Sequence, residues 1–377
     1  MKKKVVLSIF IILISFLQNS CGSKRISKKI IVASSGKIES LDPARANTLK
    51  AIQLISSLGD TLYELNSDGE LIPQLASGMP VISKDRLQIT INLRKNVFFH
   101  DGTAFNSNAM KFTFDRFKRI GTMNYILGNK IKSIETPSEY SVIINLNKPS
   151  SSLNGLLTSV NLTPISPTFY KQYSDKFLNE KFVGTGKYVL TSFSNEVQSI
   201  DPYLNYWGEK PLNNGVNFVG YSNSSSLFGA LKSKQIDVLL SNSIDDSQRK
   251  SLNNLSKNKQ FNEGNSPFTE LSFISLKTSS YPLSNLNLRL ALAKSLNRKL
   301  ISEKVSYGLR KPSRSIIPPI LKKDNQELWP KYDYLEARRL LQKENYCNGN
   351  ILKIPLTYRS NVPADKLIAL TWQEEIK

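Results

Sequence analysis

Regular alternation of apolar and polar residues predicts β-strands at several places in the first half of the chain. The segment "LQITINL" from Leu87 alternates over its whole length and predicts a half-buried strand, and "EYSVIINLNKP" predicts another. The run "IIVAS" from Ile30 predicts a short buried strand. The run "VFFH" from Val97 is predicted to be the partner of the Leu87 strand and to end at the turn formed by Asp101 and Gly102.

Helices are predicted where apolar residues recur every three or four positions. The segment "LKAIQLISSLGDTLYEL" from Leu49 has this helix-like pattern. Asn106 is well placed to cap a helix in which Met110, Phe114 and Phe117 recur on one face. A further helix is predicted in "SSLFGALKSKQIDVLL".

A second lobe is predicted to begin between Gly264 and Leu276. It contains the helices "NLRLALAKSLNRKLI" and "YLEARRLLQKENY". The first of these helices has leucines at a spacing of four on one face, which are Leu288, Leu292, Leu296 and Leu300.

The sequence after Asn350 predicts a β-α unit. "ILKIPLTY" is predicted to be a strand, and from Ala364 a helix follows with Ile368, Trp372 and Ile376 on one stripe. A right-handed crossover would return a second strand beside the first, and the sequence contains none after this helix. We therefore expect the second lobe to be incomplete.

Composition and charge narrow the class of protein. The chain has 377 residues, of which 40% are hydrophobic and 21% charged, enough for two or more lobes with sizeable cores. Its formal net charge is +21, which raises the question of nucleic-acid binding. The basic residues are scattered among Asn, Ser and Ile without a long run or a nucleic-acid motif, so we expect a basic solvated surface and no nucleic-acid partner.

The N-terminus predicts export. "MKKK" precedes the apolar run "VVLSIFIILISFL", which fits a signal peptide over residues 1–20 and is too short to span a membrane. Cys21 is predicted to be the acylated first residue of a lipoprotein, with residues 21–29 as a linker, although Gln18 holds the place where Leu is usual. The alternative is ordinary cleavage after Gly22 or Ser23. If Cys21 is acylated, Cys347 is the one thiol left and no disulfide framework is implied.

His100 is the one histidine of the chain, and Asp101 follows it. A histidine beside a carboxylate suggests a hydrolase base or a metal ligand. The chain has no second histidine for a metal cluster, and a Ser-His-Asp arrangement would have to be built on this one hairpin. We therefore predict that His100 flanks a turn on the surface, and we expect no catalytic residue, no metal and no cofactor.

The order of segments resembles family 5 of the bacterial extracellular solute-binding proteins, the oligopeptide, dipeptide and nickel receptors of ABC importers. The resemblance runs from about Ile30 to Lys377. It rests on "SLDPA", "DTLYELNSDGELIPQLASGMP", "LRKNVFFHDGTAFNSNAMKFTFDR", "VGTGKY", "NYWGEKP", "ALKSKQIDVL", "LRLALAKSLNRKLI", "IIPP" and "YDYLEARRLL". Each segment alone is weak, but their common order and spacing are specific. Lys187 departs from the proline usual at that position of "VGTGKY" in the family.

The resemblance implies an α/β fold with two lobes, of the type II periplasmic-binding-protein kind. It places lobe I at residues 30–263, with an extra small subdomain at about 46–163, and an incomplete lobe II at 264–377. It implies the substrate-binding component of an ABC transporter. We expect a monomer that captures peptide-like or other small solutes outside the cytoplasmic membrane, held there by the lipid anchor, and delivers them to permease subunits. The alternative is a truncated or degenerate membrane-anchored binding module without transport activity.

The resemblance also implies where the solute binds. In peptide-binding members the loop after the first strand lines the cleft, and here that loop is "SSGKIESL". The predicted ligand-binding residues are Ser35, Gly36, Lys37 and Ile38. Glycine would let a ligand backbone approach, and Lys37 would meet a carboxylate. The alternative is that Lys37 points to solvent and Gly36 only serves the turn.

Overall fold

The computed structural model describes residues 28–127, 130–173, 177–240, 243–264, 271–313, 315–317, 328–347, 349–360 and 362–376. The predicted signal peptide, Cys21 and most of "IIPPIL" lie outside these residues. Within them the strands are β1 Ile30–Ser35, β2 Tyr63–Leu65, β3 Leu71–Pro73, β4 Val81–Ile82, β5 Gln88–Asn92, β6 Ile131–Ser138, β7 Ser141–Leu146, β8 Tyr188–Phe193, β9 Val197–Pro202, β10 Val216–Tyr221 and β11 Val238–Leu239.

The α-helices are α1 Leu49–Leu58, α2 Ser107–Ile120, α3 Leu153–Leu156, α4 Pro167–Tyr170, α5 Ser224–Lys232, α6 Asp246–Lys257, α7 Leu286–Ser295, α8 Arg298–Ser306, α9 Tyr334–Lys343 and α10 Pro363–Glu375. Short 3-10 helices lie at Asn124–Ile126, Val160–Leu162 and Phe177–Glu180. None of the helices in the described part of the chain has the length and apolar character needed to cross a membrane.

A five-stranded sheet in the order β11-β1-β10-β9-β8 forms the centre of the first half of the chain. Strand β1 runs parallel to both β10 and β11, and β9 runs antiparallel to β10. Because successive side chains of a strand point to opposite faces, Val32 packs into the apolar cluster that contains Leu54 of α1, and Ala33 packs into the one that contains Leu227 of α5. Helices α1 and α5 thus cover the two faces of this sheet.

A separate antiparallel sheet in the order β4-β5-β7-β6 packs against α2. Asn106 caps α2 by accepting a hydrogen bond from the backbone N–H of Ala109, as predicted. The predicted face of the helix, Met110, Phe114 and Phe117, is buried in the core of this small unit. The buried core runs from Ala44 to Leu162 in sequence. The predicted lobe and subdomain boundaries themselves stay predictions.

Two predicted helices end earlier than their patterns indicated. Helix α1 ends at Leu58, and Tyr63–Leu65 is a strand. The chain becomes extended at Gly59, where an added Cβ would lie 2.4 Å from a methyl group of Thr163, so this point is held by tertiary packing that a local pattern does not contain. Helix α5 ends at Lys232, and the rest of its predicted span supplies strand β11.

The predicted pairing of the Leu87 strand with the run from Val97 is wrong. Strand β5 confirms the predicted strand, but it pairs with β4 and β7. The run from Val97 instead folds over the Asp101-Gly102 turn, where Phe98 forms a bridge with Ala104. A tight turn favours pairing with the residues that immediately follow it, and this local pairing replaced the predicted one.

The second half of the chain corrects two further predictions. The predicted helix from Asn287 is two helices, α7 and α8, because the side chain of Asn297 accepts a hydrogen bond from the backbone N–H of Leu300 and starts a new helix. The segment "ILKIPLTY" lies in no strand of the described structure. Helices α9 and α10 are confirmed, and Trp372 of α10 donates a hydrogen bond to Ser295 of α7 at 3.2 Å.

Candidate functional site

The parallel strands β1, β10 and β11 end at one edge of the central sheet, at Ser35, Tyr221 and Leu239. In open α/β sheets, ligands bind outside the carboxyl ends of the parallel strands. The chain leaves β1 at this edge through the loop that begins with Gly36 and Lys37. This edge is therefore the candidate binding site.

The structure brings three of the four predicted residues to this edge. Ser35 ends β1 and is half-buried, whereas Gly36 and Lys37 are exposed. Gly36 has a φ of +82°, donates its N–H to the carbonyl of Tyr221 at 3.1 Å, and has no atom within 4 Å of the place where a Cβ would stand. A residue with a side chain is strained in this conformation, and a side chain here would project into open space.

Ile38, the fourth predicted residue, has a buried side chain, and its part in ligand binding stays a prediction. Ile38 is 4% exposed and belongs to the core cluster that also contains Leu41 and Leu54. Its side chain packs the loop onto the core. The physical reason is that the chain turns inward directly after Lys37, so an apolar side chain at position 38 is buried.

Lys50, in the first turn of α1, also belongs to this edge, and the sequence analysis missed it. Its Nζ donates a hydrogen bond to the carbonyl oxygen of Gly36 at 3.0 Å, and the residue is 8% exposed. Desolvation lowers the pKa of its ammonium. A signal was present in the sequence, since a cation in the first turn of a helix opposes the helix dipole.

The loop is fixed to the rest of the molecule by a buried ion pair. Both carboxylate oxygens of Asp42 accept hydrogen bonds of 2.6 Å from the two terminal nitrogens of Arg116 on α2. Both side chains are nearly inaccessible, at 0% exposure for Asp42 and 4% for Arg116. Asp42 also accepts from the backbone N–H of Ala44 at 3.1 Å. The loop is therefore tied to the small antiparallel unit and held in one position.

His100 lies away from this edge and has a structural contact. Its Nε2 donates to the carbonyl of Gly186 at 3.0 Å, its backbone N–H donates to Gly184, and its ring meets that of Tyr203 edge-on at 4.9 Å between centroids. Burial lowers the pKa of His100 to about 4. The predicted turn beside His100 is confirmed, and the side chain of His100 is half-buried because the hairpin packs onto the "VGTGKY" segment.

Asp101 does not orient the histidine. Its carboxylate accepts hydrogen bonds from the side chains of Thr103 at 2.6 Å and Ser166 at 2.5 Å. The Nδ1 atom of His100 is buried and has no hydrogen-bond partner among the described residues. A hydrolase triad needs a carboxylate on that nitrogen and a nucleophile on the other, and here the other nitrogen is bonded to a backbone carbonyl.

The glycines of "VGTGKY" serve close backbone packing. An added Cβ at Gly186 would lie 2.4 Å from the backbone carbon of Leu58, and one at Gly184 would lie 2.7 Å from the carbonyl oxygen of Leu58. Between these glycines, Thr185 donates to the carboxylate of Asp60 at 2.9 Å. The same carboxylate accepts from Trp207 at 2.9 Å, so this segment joins the end of α1 to "NYWGEKP".

The fold and the edge site define a type II periplasmic-binding-protein structure, and solved structures of this class match it. One is the periplasmic binding protein DppA of Helicobacter pylori in complex with the peptide STSA, with a TM-score of 0.77, 22% identity, and coverage of 93% of this chain and 72% of the other. Another is the murein tripeptide binding protein MppA of Escherichia coli, with a TM-score of 0.79, 22% identity, and coverage of 93% and 74%.

The chain belongs to the family described as bacterial extracellular solute-binding proteins, family 5, whose model matches residues 70–377. It is therefore a solute-binding protein of the extracellular kind. A curated relative is the glutathione-binding protein GsiB of Escherichia coli strain 536, which is 26% identical over 353 residues. That alignment covers 92% of this chain and 67% of the relative.

Proposed function

We propose that this protein is the substrate-binding component of an ABC importer and captures peptide-like solutes outside the cytoplasmic membrane for delivery to permease subunits. The observation that carries the proposal is the exposed Gly36 loop at the carboxyl ends of three parallel strands, in a chain of this family. Proteins similar to this chain are named for binding glutathione and a murein tripeptide, and another was solved in complex with the peptide STSA. All three of these ligands are short and peptide-like.

The mechanism follows from the geometry of the loop. Gly36 projects no side chain, so a ligand main chain can approach the loop closely there, while the N–H of Gly36 stays bonded to the carbonyl of Tyr221. Ser35 supplies a hydroxyl that donates or accepts, and Lys37 supplies a cation at the surface. Closure of lobe II over the bound solute would then present one closed form to the permease, with the binding energy driving the closure.

The location belongs to the same proposal. A signal peptide over residues 1–20 and acylation of Cys21 would leave the receptor outside the cytoplasmic membrane and held to its surface. Two or three acyl chains are enough for stable anchoring, since each buried CH₂ contributes about 0.8 kcal/mol.

The proposal is tested with two matched glycine variants, Gly36→Val and Gly102→Val. Both glycines have a φ of +82° and no neighbouring atom within 4 Å of an added Cβ, so we expect similar losses of stability. Binding is measured by calorimetry against glutathione and a panel of tripeptides. We expect Gly36→Val to weaken binding about tenfold or more, equivalent to about 1.4 kcal/mol, and Gly102→Val to leave affinity unchanged.

Two results would contradict the proposal. If the unaltered protein binds none of these solutes, it is not a receptor for peptide-like molecules. If Gly36→Val and Gly102→Val bind as tightly as each other, the solute does not lie against the Gly36 loop.

A further inference from the structure

The ammonium group of Lys50 lies at the candidate site, directly behind the exposed peptide group of Gly36. Its Nζ contacts the carbonyl oxygen of Gly36, which is exposed, whereas Lys50 itself is almost fully buried. The lysine side chain reaches this point from α1, which packs on the face of the sheet. It therefore places a positive charge at the carboxyl edge of the parallel strands.

The backbone leaves room for this charge. At Gly220, on the neighbouring strand β10, an added Cβ would lie 3.0 Å from Nζ of Lys50 and 2.8 Å from the carbonyl oxygen of Gly36. Any other residue at position 220 would displace the ammonium or the loop. The absence of a side chain at Gly220, beside the carbonyl oxygen of Gly36, thus leaves the space in which the ammonium lies.

Within the part of the chain that the structure describes, no carboxylate forms an ion pair with Lys50. An ammonium has three N–H groups, and the described residues supply one acceptor, the Gly36 carbonyl. The adjacent N-terminus of α1 adds positive potential and has no acidic residue in its first turn. Burying a cation without a carboxylate partner is costly, so this arrangement is not explained by stability.

We propose that Lys50 is a binding residue for a carboxylate of the solute, which it holds beside the Gly36 peptide. This inference rests on the proposed function and adds the chemical class of one end of the ligand. The carboxylate would supply the negative partner that the described residues do not, and its charged hydrogen bonds with the ammonium would be strong because Lys50 is largely shielded from water. Lys37, exposed on the same loop, adds charge of the same sign.

The experiment compares acid and amide forms of one solute. Calorimetry is run on the full chain with Ala-Ala-Ala, with its C-terminal amide, and with Ala-Glu-Ala amide, which carries its only carboxylate on a side chain; glutathione serves as a further ligand. The variants are Lys50→Met, which keeps the length of the side chain without its charge, and Lys50→Arg, which keeps the charge. Lys111→Met is the control, since it removes a lysine that is paired with Asp115 on the exposed side of α2.

We expect the unaltered protein and Lys111→Met to bind either Ala-Ala-Ala or Ala-Glu-Ala amide at least about tenfold more tightly than Ala-Ala-Ala amide, which has no carboxylate. A tenfold difference is the usual effect of a hydrogen bond between charged groups. Lys50→Met should bind both forms alike, and Lys50→Arg should recover part of the preference. A preference for Ala-Ala-Ala would show that Lys50 binds the C-terminal carboxylate of the peptide. A preference for Ala-Glu-Ala amide would show that it binds a side-chain carboxylate.

Other outcomes overturn the inference. If the unaltered protein binds acid and amide equally, or if Lys50→Met keeps the preference, Lys50 does not hold a carboxylate, while the receptor function stands. If Lys50→Met does not fold, the affinities of the unaltered protein and of Lys50→Arg for the acid and amide peptides show whether residue 50 binds a carboxylate. If no peptide and no glutathione binds to the unaltered protein, the proposed function and this inference fail together.

Discussion

An ion pair between Asp42 and Arg116 joins helix α2 to the loop that follows the candidate site. The pair is bidentate and buried, and Arg116 also lies over the ring of Tyr170, with 5.3 Å between the guanidinium carbon and the ring centroid. Removing one member of such a pair leaves the other charged and buried without the bidentate contact that joined the two. The loop and the small antiparallel unit are therefore expected to lose stability together.

We expect Asp42→Asn to lower the free energy of unfolding by about 3–5 kcal/mol, the usual effect of breaking a buried ion pair. The matched control is Asp115→Asn, which breaks the exposed pair with Lys111 on the same helix and should change stability by about 0.5 kcal/mol or less. Both values are measured by urea denaturation. Equal effects of the two substitutions would show that the buried pair does not hold the loop.

His100 makes the stability of the protein depend on pH. The folded protein keeps His100 neutral with a pKa of about 4, whereas the unfolded chain protonates it below its ordinary value of 6.5. The unfolded state therefore gains from protonation as the pH falls below 6.5, and the loss of stability is complete at about pH 4. At about 1.4 kcal/mol per pKa unit, the full effect is about 3 kcal/mol.

His100→Gln tests this, because glutamine still offers a donor to Gly186 but does not titrate. The variant should lose less stability than the unaltered protein between pH 7 and pH 4, with the difference measured by denaturation at each pH. Its affinity for the solute at neutral pH should stay within about threefold, since the structure places His100 away from the Gly36 loop. Parallel pH profiles of the two proteins would mean that His100 is not buried in its neutral form.

At the scale of the elements, the sequence predicted those whose pattern is decided locally. The strand from Leu87 and the helix after Asn106 formed as expected, because alternation and a cap are properties of neighbouring residues. The end of α1 and the burial of Ile38 were not predictable, since both depend on residues far along the chain that pack there. Lys50 was missed because a lysine on a helix usually lies in solvent.

The break between α7 and α8 makes a prediction about Asn297. If it caps α8, Asn297→Ala should lower the stability by about 1 kcal/mol, and Asn297→Ser should keep most of it. If residues 287–301 formed one helix, alanine would instead be stabilising by about half a kcal/mol, because it has the higher helix propensity. The midpoint of thermal unfolding shows whether Asn297→Ala lowers or raises the stability.

For the molecule as a whole, we expect the proposed lipid anchor at Cys21 and the proposed solute site to act independently. We predict that Cys21→Ser releases the protein from the membrane fraction without changing its affinity for the solute, because residue 21 precedes the first strand by nine positions. Labelling with radioactive palmitate and detergent partitioning measure the anchor. An unaltered protein that is unlabelled, with an N-terminus at Ser23 or Lys24, would show ordinary cleavage instead.

The order of strands in the central sheet also determines when the sheet can form. Strand β1 is made first, but it lies between β10 and β11, and the backbone N–H of Ile31 donates at 2.8 Å to Asp237, which is 206 positions later. Contacts so distant in sequence form slowly and only after both partners have been synthesised. Strand β1 therefore lacks both neighbours until residue 221 has been made, and it lacks β11 until residue 239 has been made. A nascent chain therefore cannot complete its main sheet before residue 239 has been made, although β1 is the first strand to be synthesised.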